Sequence, residues 1–71
     1  MSKEHGSRVA ANIRAEVSRA GYRQGDLAEP TNTTRSGVSD RLSGNTAITV
    51  DWLCDVADFL KVEPAKLLDQ S

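Results

Sequence analysis

One cysteine, one histidine, two prolines and a single residue each of tryptophan, tyrosine and phenylalanine are all that the 71 positions offer. Each scarcity excludes something. Cys54, standing alone, can form neither an internal disulfide nor a multi-cysteine zinc site, and a lone thiol suits a reducing compartment. A Cys-His catalytic pair would have to join Cys54 to His5, which lies in a polar N-terminal stretch far along the chain. No glycine-rich phosphate loop, metal-ligand cluster or close nucleophile-base pair is present, so no enzyme, metal, cofactor or small-molecule substrate is expected. No apolar run approaches the roughly 20 residues of a membrane helix. MSKEHGSR also lacks the apolar core of a signal peptide, and a cytoplasmic protein without membrane contact is the expectation.

What remains is an ordinary globular composition, 38% apolar and 27% charged, in a chain that has room for one domain. Such a domain buries roughly 60% of the surface its unfolded chain exposes, so its packing must be economical. The net charge of −1 hides a division. Residues 1–41 carry seven basic groups against five acidic ones, +2, whereas residues 42–71 carry two against five, −3. Contact with phosphate depends on local charge, and the first part of the chain has the sign for it.

Periodicity divides the chain into helices. Residues 1–6 are polar without a period and are expected to form a flexible arm, with residues 7–71 as the single domain. From a cap at Ser7, Val9, Ile13 and Val17 recur every four residues with Ala10 and Ala20 beside them, and Gly21 supplies a left-handed stop. A short second helix spans about Gln24 to Glu29, with Leu27 and Ala28 as its packing residues. Gly25 weakens it by ~1 kcal/mol and Pro30 ends it. Asn32 is the residue of the following break best suited to positive φ. Thr34 caps a third helix, Arg35 to Ser43, whose inward residues are Val38 and Leu42 and whose stop is Gly44. Thr49 caps a fourth, Val50 to Leu60, apolar around most of its circumference except for Asp51, Asp55 and Asp58. Pro64 opens a fifth, ending at Leu68.

Gln24, Leu27, Ala28, Val38, Ser39 and Gly44 stand at the spacing Q-x-x-L-A, then ten residues on, V-S-x-x-x-x-G. This resembles the lambda-repressor-like helix-turn-helix domains, which include phage repressors, Cro proteins and XRE-type regulators. Ser36, Gly37 and Val38 are especially similar to the phage repressor version, and the Thr49 to Leu60 helix followed by Val62, Glu63, Pro64 and two leucines is similar to the family's closing helices. Residues 7–68 are thus nearly all covered.

The resemblance implies an all-α, compact five-helix domain in which helices 2 and 3 form the helix-turn-helix and helix 3 (about 35–43) enters the major groove of a double-stranded DNA operator. It implies base readout by Thr34, Arg35, Ser36 and Ser39. It implies backbone contacts from Gln24, Arg41, Ser43 and Asn45, and a homodimer on DNA. Arginine's fork matches the O6 and N7 of guanine, which makes Arg35 the leading base reader. The chain departs from the pattern at Pro30, at Asn32 and Thr33 in the turn, at Arg41 where an apolar residue is usual, and at Arg23 where a capping hydroxyl is common. Two arrangements are open for Arg41: a buried stem with its charge reaching a phosphate, or a rotated helix in which Leu42 takes the core position. The function expected is a transcriptional regulator of repressor or Cro type. The alternative is a protein-interaction module on the same fold, of antirepressor or antitoxin kind, for which the acidic Asp51, Asp55, Asp58 row is the support.

Overall fold

A computed structural model of the protein describes residues 2–68. Met1 of the expected arm and residues 69–71 of the expected domain lie outside the described residues. Helix α1 is Ser2–Arg19, α2 is Arg35–Ser43, α3 is Val50–Leu60 and α4 is Pro64–Leu68, with a 3-10 helix, Gln24–Leu27, between α1 and α2. Every regular element among the described residues is helical. The radius of gyration, 10.8 Å, is close to the ~11 Å of a compact chain of this length.

Two of the expected boundaries move. Helix α1 begins at Ser2 rather than at a Ser7 cap. An apolar stripe reports only the part of a helix that packs, and nothing in the polar composition of residues 2–6 forbids helix ahead of that part. The expected second α-helix, Gln24 to Glu29, is instead a single 3-10 turn, so the described residues form four α-helices and not five. The cause is local. Gly25 lowers helix propensity, Pro30 follows closely, and Leu27 is the one fully buried anchor of the segment.

The other elements fall where local chemistry places them. Thr34 caps α2 by accepting the Gly37 N–H at 2.9 Å, and Thr49 caps α3 by accepting the Trp52 N–H at 3.1 Å. Each such cap contributes about 1 kcal/mol. Gly21 (φ 83°) and Gly44 (φ 92°) end α1 and α2 in the left-handed conformation, and Asn32 (φ 54°) adopts it in the break. Helix α3 ends the same way at Lys61 (φ 59°), with the Val62 N–H closing onto the Ala57 carbonyl at 3.0 Å.

The core is one cluster. Ala10, Ile13 and Val17 of α1 meet Leu27, Val38 and Leu42, and α3 contributes Trp52, Leu53, Val56, Ala57 and Leu60, with Leu67 closing the base. Helix α3 therefore lines the interior along most of its length, while Asp51, Asp55 and Asp58 remain exposed. Tyr22 stacks on Phe59 of α3, ring centroids 4.6 Å apart. Polar ties join α1 to both ends of the molecule. The Asn12 amide donates to the Leu67 carbonyl at 2.8 Å, and the Arg14 guanidinium donates to the Leu42 carbonyl at the C-terminal end of α2, where the last-turn carbonyls lack helical partners.

Candidate nucleic-acid interface

With about 3.6 residues per turn, α2 has an inner side, an outer side and two flanks. Val38 and Leu42 are buried and fix the inner side against the core. That leaves Thr34, Arg35, Ser36, Ser39 and Ser43 exposed along the outer side, a continuous row of small hydroxyl side chains with one arginine. None of these residues is required by the core, and together they present hydrogen-bond donors and acceptors at the surface. All four expected base readers are on this face.

The first flank turns toward the 3-10 helix. Arg35 lies against it, and Arg23, Gln24, Gly25, Asp26, Arg35 and Ser39 line a shallow groove of about 290 Å³. Gln24 and Ser39 are thus brought into one place although they are far apart in the chain. Asp26 shapes the entrance by accepting the Arg23 backbone N–H at 2.8 Å, while its own N–H donates to the Arg23 carbonyl at 3.0 Å. Asp26 therefore supplies the acidic half of a capping box, while Arg23 itself gives no side-chain cap. Arg35 forms no ion pair with any described residue, so its charge remains available to a ligand.

The second flank turns toward α3, and Arg41 lies there rather than on the outer row. Its Nη1 donates to the Gly37 carbonyl at 3.0 Å, its Cζ stands 5.4 Å from the Trp52 ring centroid, and its Nε is buried with no hydrogen-bond partner among the described residues. Leu42 takes the core position and Arg41 is half-buried beside it. Of the two arrangements open from the sequence, Leu42 in the core position is the one seen, and the Arg41 guanidinium faces a carbonyl and an aromatic ring. The turn also packs on this flank. A methyl group built on Gly37 would stand 2.5 Å from Thr33 Cγ2, so the glycine is required by the close approach of the turn.

The remaining expected contacts, Ser43 and Asn45, lie exposed at the C-terminal end of α2. The Ser43 hydroxyl and the Asn45 backbone N–H both donate to the Asp40 carbonyl, at 3.2 and 2.8 Å. The Asn45 side chain is left at the surface beside the left-handed Gly44.

A set of residues beneath this interface escaped sequence reasoning. Thr31 is buried, and its hydroxyl donates to the Leu27 carbonyl at 2.6 Å. The Thr33 hydroxyl donates to the Thr31 carbonyl at 3.0 Å and accepts the Trp52 indole N–H, also at 3.0 Å. Through these bonds the turn is fastened to both the 3-10 helix and α3. Two threonines in a proline-marked loop were the available signal, but the partner of Thr33, Trp52, is distant in sequence.

Among the described residues no group of histidine, cysteine and acidic side chains could hold a metal ion, and no helix is long and apolar enough to cross a membrane. Comparison of the chain with protein-family models, curated proteins and solved structures gives no match.

Proposed function

We propose that the protein is a sequence-specific double-stranded DNA-binding transcriptional regulator, of the phage-repressor or Cro type within the lambda-repressor-like class, which inserts α2 into the major groove. The observation that carries this reading is the outer row of α2: Thr34, Arg35, Ser36 and Ser39 exposed together on a helix whose opposite side is fixed in the core. A B-DNA major groove accepts one α-helix, and side chains of these types are those that read base edges within it. In this reading the 3-10 helix takes the place of the family's second helix, with α3 and α4 as the closing pair. Gln24, Ser43 and Asn45 flank the row at positions suited to phosphate contact. Arg41 supports the row from behind. Two copies on two half-sites would provide the specificity that one short helix lacks.

Selection of bound sequences from a random duplex pool tests the proposal directly. Arg35→Ala is expected to relax preference at one base pair and to cost about 1–3 kcal/mol of discrimination. Gln24→Ala should weaken all sequences alike, because a phosphate contact carries no base information. Binding should fall steeply with salt. A protein that retains no duplex even at low salt sinks the reading, and the exposed Asp51, Asp55, Asp58 row would then be the surface to examine as a protein-binding face.

A further inference from the structure

Arg35 occupies a position on α2 next to Leu42, at the border between the buried side and the outer row, so its side chain has a wall on one side. That wall is the backbone of the 3-10 helix at Gly25. A methyl group built on Gly25 would stand 3.3 Å from Nε and 3.5 Å from both Cδ and Cγ of Arg35. The arginine stem therefore passes over the glycine in contact with the position a Cβ would take, where Nε would have to give by a few tenths of an ångström, and it emerges into the groove shared with Arg23, Gln24 and Ser39. Gly25 does not have positive φ, so its backbone conformation is open to any L-residue and its conformational freedom is not what the fold uses here. Besides the lowered helix propensity of the segment, the missing side chain has one steric consequence, the close approach of Arg35.

We propose that Gly25 is a specificity-determining position that acts through Arg35, seating the arginine stem so that its guanidinium fork is aimed along the base-reading row of α2. The inference rests on the DNA reading above and deepens it. A bidentate arginine-guanine contact is strict in geometry, whereas a free arginine explores many rotamers. A seat of backbone on one side restricts the stem before any base is met. Gly25 is a positioning residue and touches no base.

The substitution Gly25→Ala separates this role from a structural one. The atoms an alanine at 25 would displace belong to a flexible side chain rather than to backbone, and Pro30 and the buried Leu27 still delimit the segment, so the fold is retained. The arginine must shift. In a random-duplex selection, Arg35→Ala should lose about 5- to 150-fold in discrimination at the base pair it reads. Gly25→Ala should lose part of the same discrimination, at the same base pair and at no other. In the Arg35→Ala background the alanine at 25 should then change nothing, since the two substitutions remove one interaction. Gly25→Ala should also move the Nε–H resonance of Arg35 in the free protein, which reports the seat without DNA. An unmoved resonance, or a Gly25→Ala protein with the parental preference while Arg35→Ala loses it, overturns the seat. A moved resonance in a protein whose parent selects no duplex instead overturns the DNA reading, and the role of the seat in specificity with it.

Discussion

Lys61 is the residue at which this chain carries a cost that its other helix ends avoid. Three helices end in left-handed residues with the same closing hydrogen bond, and two of those residues are glycines, Gly21 and Gly44. A side chain at Lys61 meets the carbonyl crowding that disfavours positive φ for any residue with a Cβ. Lys61→Gly should therefore raise stability by about 0.5–1 kcal/mol, the relieved strain exceeding the greater freedom of glycine in the unfolded chain. Denaturant unfolding would show it as a higher midpoint at constant slope. A lower midpoint would mean that the lysine stem contributes packing that outweighs the strain. At this scale the sequence is legible where the chemistry is local. The Thr34 and Thr49 caps, the glycine stops and the positive φ of Asn32 each depend on neighbours a few residues away. The left-handed Lys61 was not legible, because lysine itself carries no preference for that conformation and tertiary packing around Val62 determines where α3 must end.

At the scale of elements, the orientation of α2 depends on a turn that is held from beneath. The Trp52 ring presents its indole N–H to Thr33 and its face to Arg41, so one side chain of α3 touches both the turn before α2 and the middle of α2 itself. Thr33→Val keeps the shape of the residue but removes the acceptor of a donor on a 5% exposed tryptophan. The expected cost is about 1–3 kcal/mol, since the N–H is left without a partner in a place water reaches poorly. Tryptophan fluorescence during unfolding would follow the loss, since Trp52 is the sole tryptophan. If Thr33→Val unfolds at the parental midpoint, the bond contributes nothing and the turn is held by Thr31 and Leu27 alone. The same elements mark the limit of what the sequence discloses. Val38, Leu42 and the alternation of caps and stops locate α2, α3 and α4 to the residue. Gln24, Leu27 and Ala28 have α-helical spacing, and spacing over so few residues cannot separate an α-helix from the 3-10 helix that forms there. Arg41 could be placed beside Trp52 only once the folded chain had brought residues of α2 and α3 together.

At the scale of the whole molecule, the distribution of apolar side chains decides how two copies could meet. A stable interface buries at least roughly 600 Å² on each partner, a substantial part of the 4858 Å² surface of this domain. The rows on α3 and α4 that an unfolded chain would offer are used internally: Trp52 and Val56 are buried, Leu67 is fully buried, and Phe59 is covered in part by Tyr22. Tyr22, Val50 and Leu68 are the large hydrophobics left exposed among the described residues, on three different segments and with the exposed Asp51, Asp55 and Asp58 beside Val50 on α3. Three scattered side chains do not make an apolar interface of the required size, and the like-charged row opposes the approach of a second α3. The free protein is therefore expected to sediment as a monomer at micromolar concentration, with a second copy recruited only when a duplex offers two half-sites about one helical turn apart. On such a duplex, assembly gains from proximity rather than from an extensive protein interface, and moving one half-site by half a turn should abolish the second binding event without affecting the first. Sedimentation of the free protein and of its complexes with correctly and incorrectly spaced sites measures both. A tight dimer without DNA would place a larger apolar contact on this surface than its exposed side chains supply.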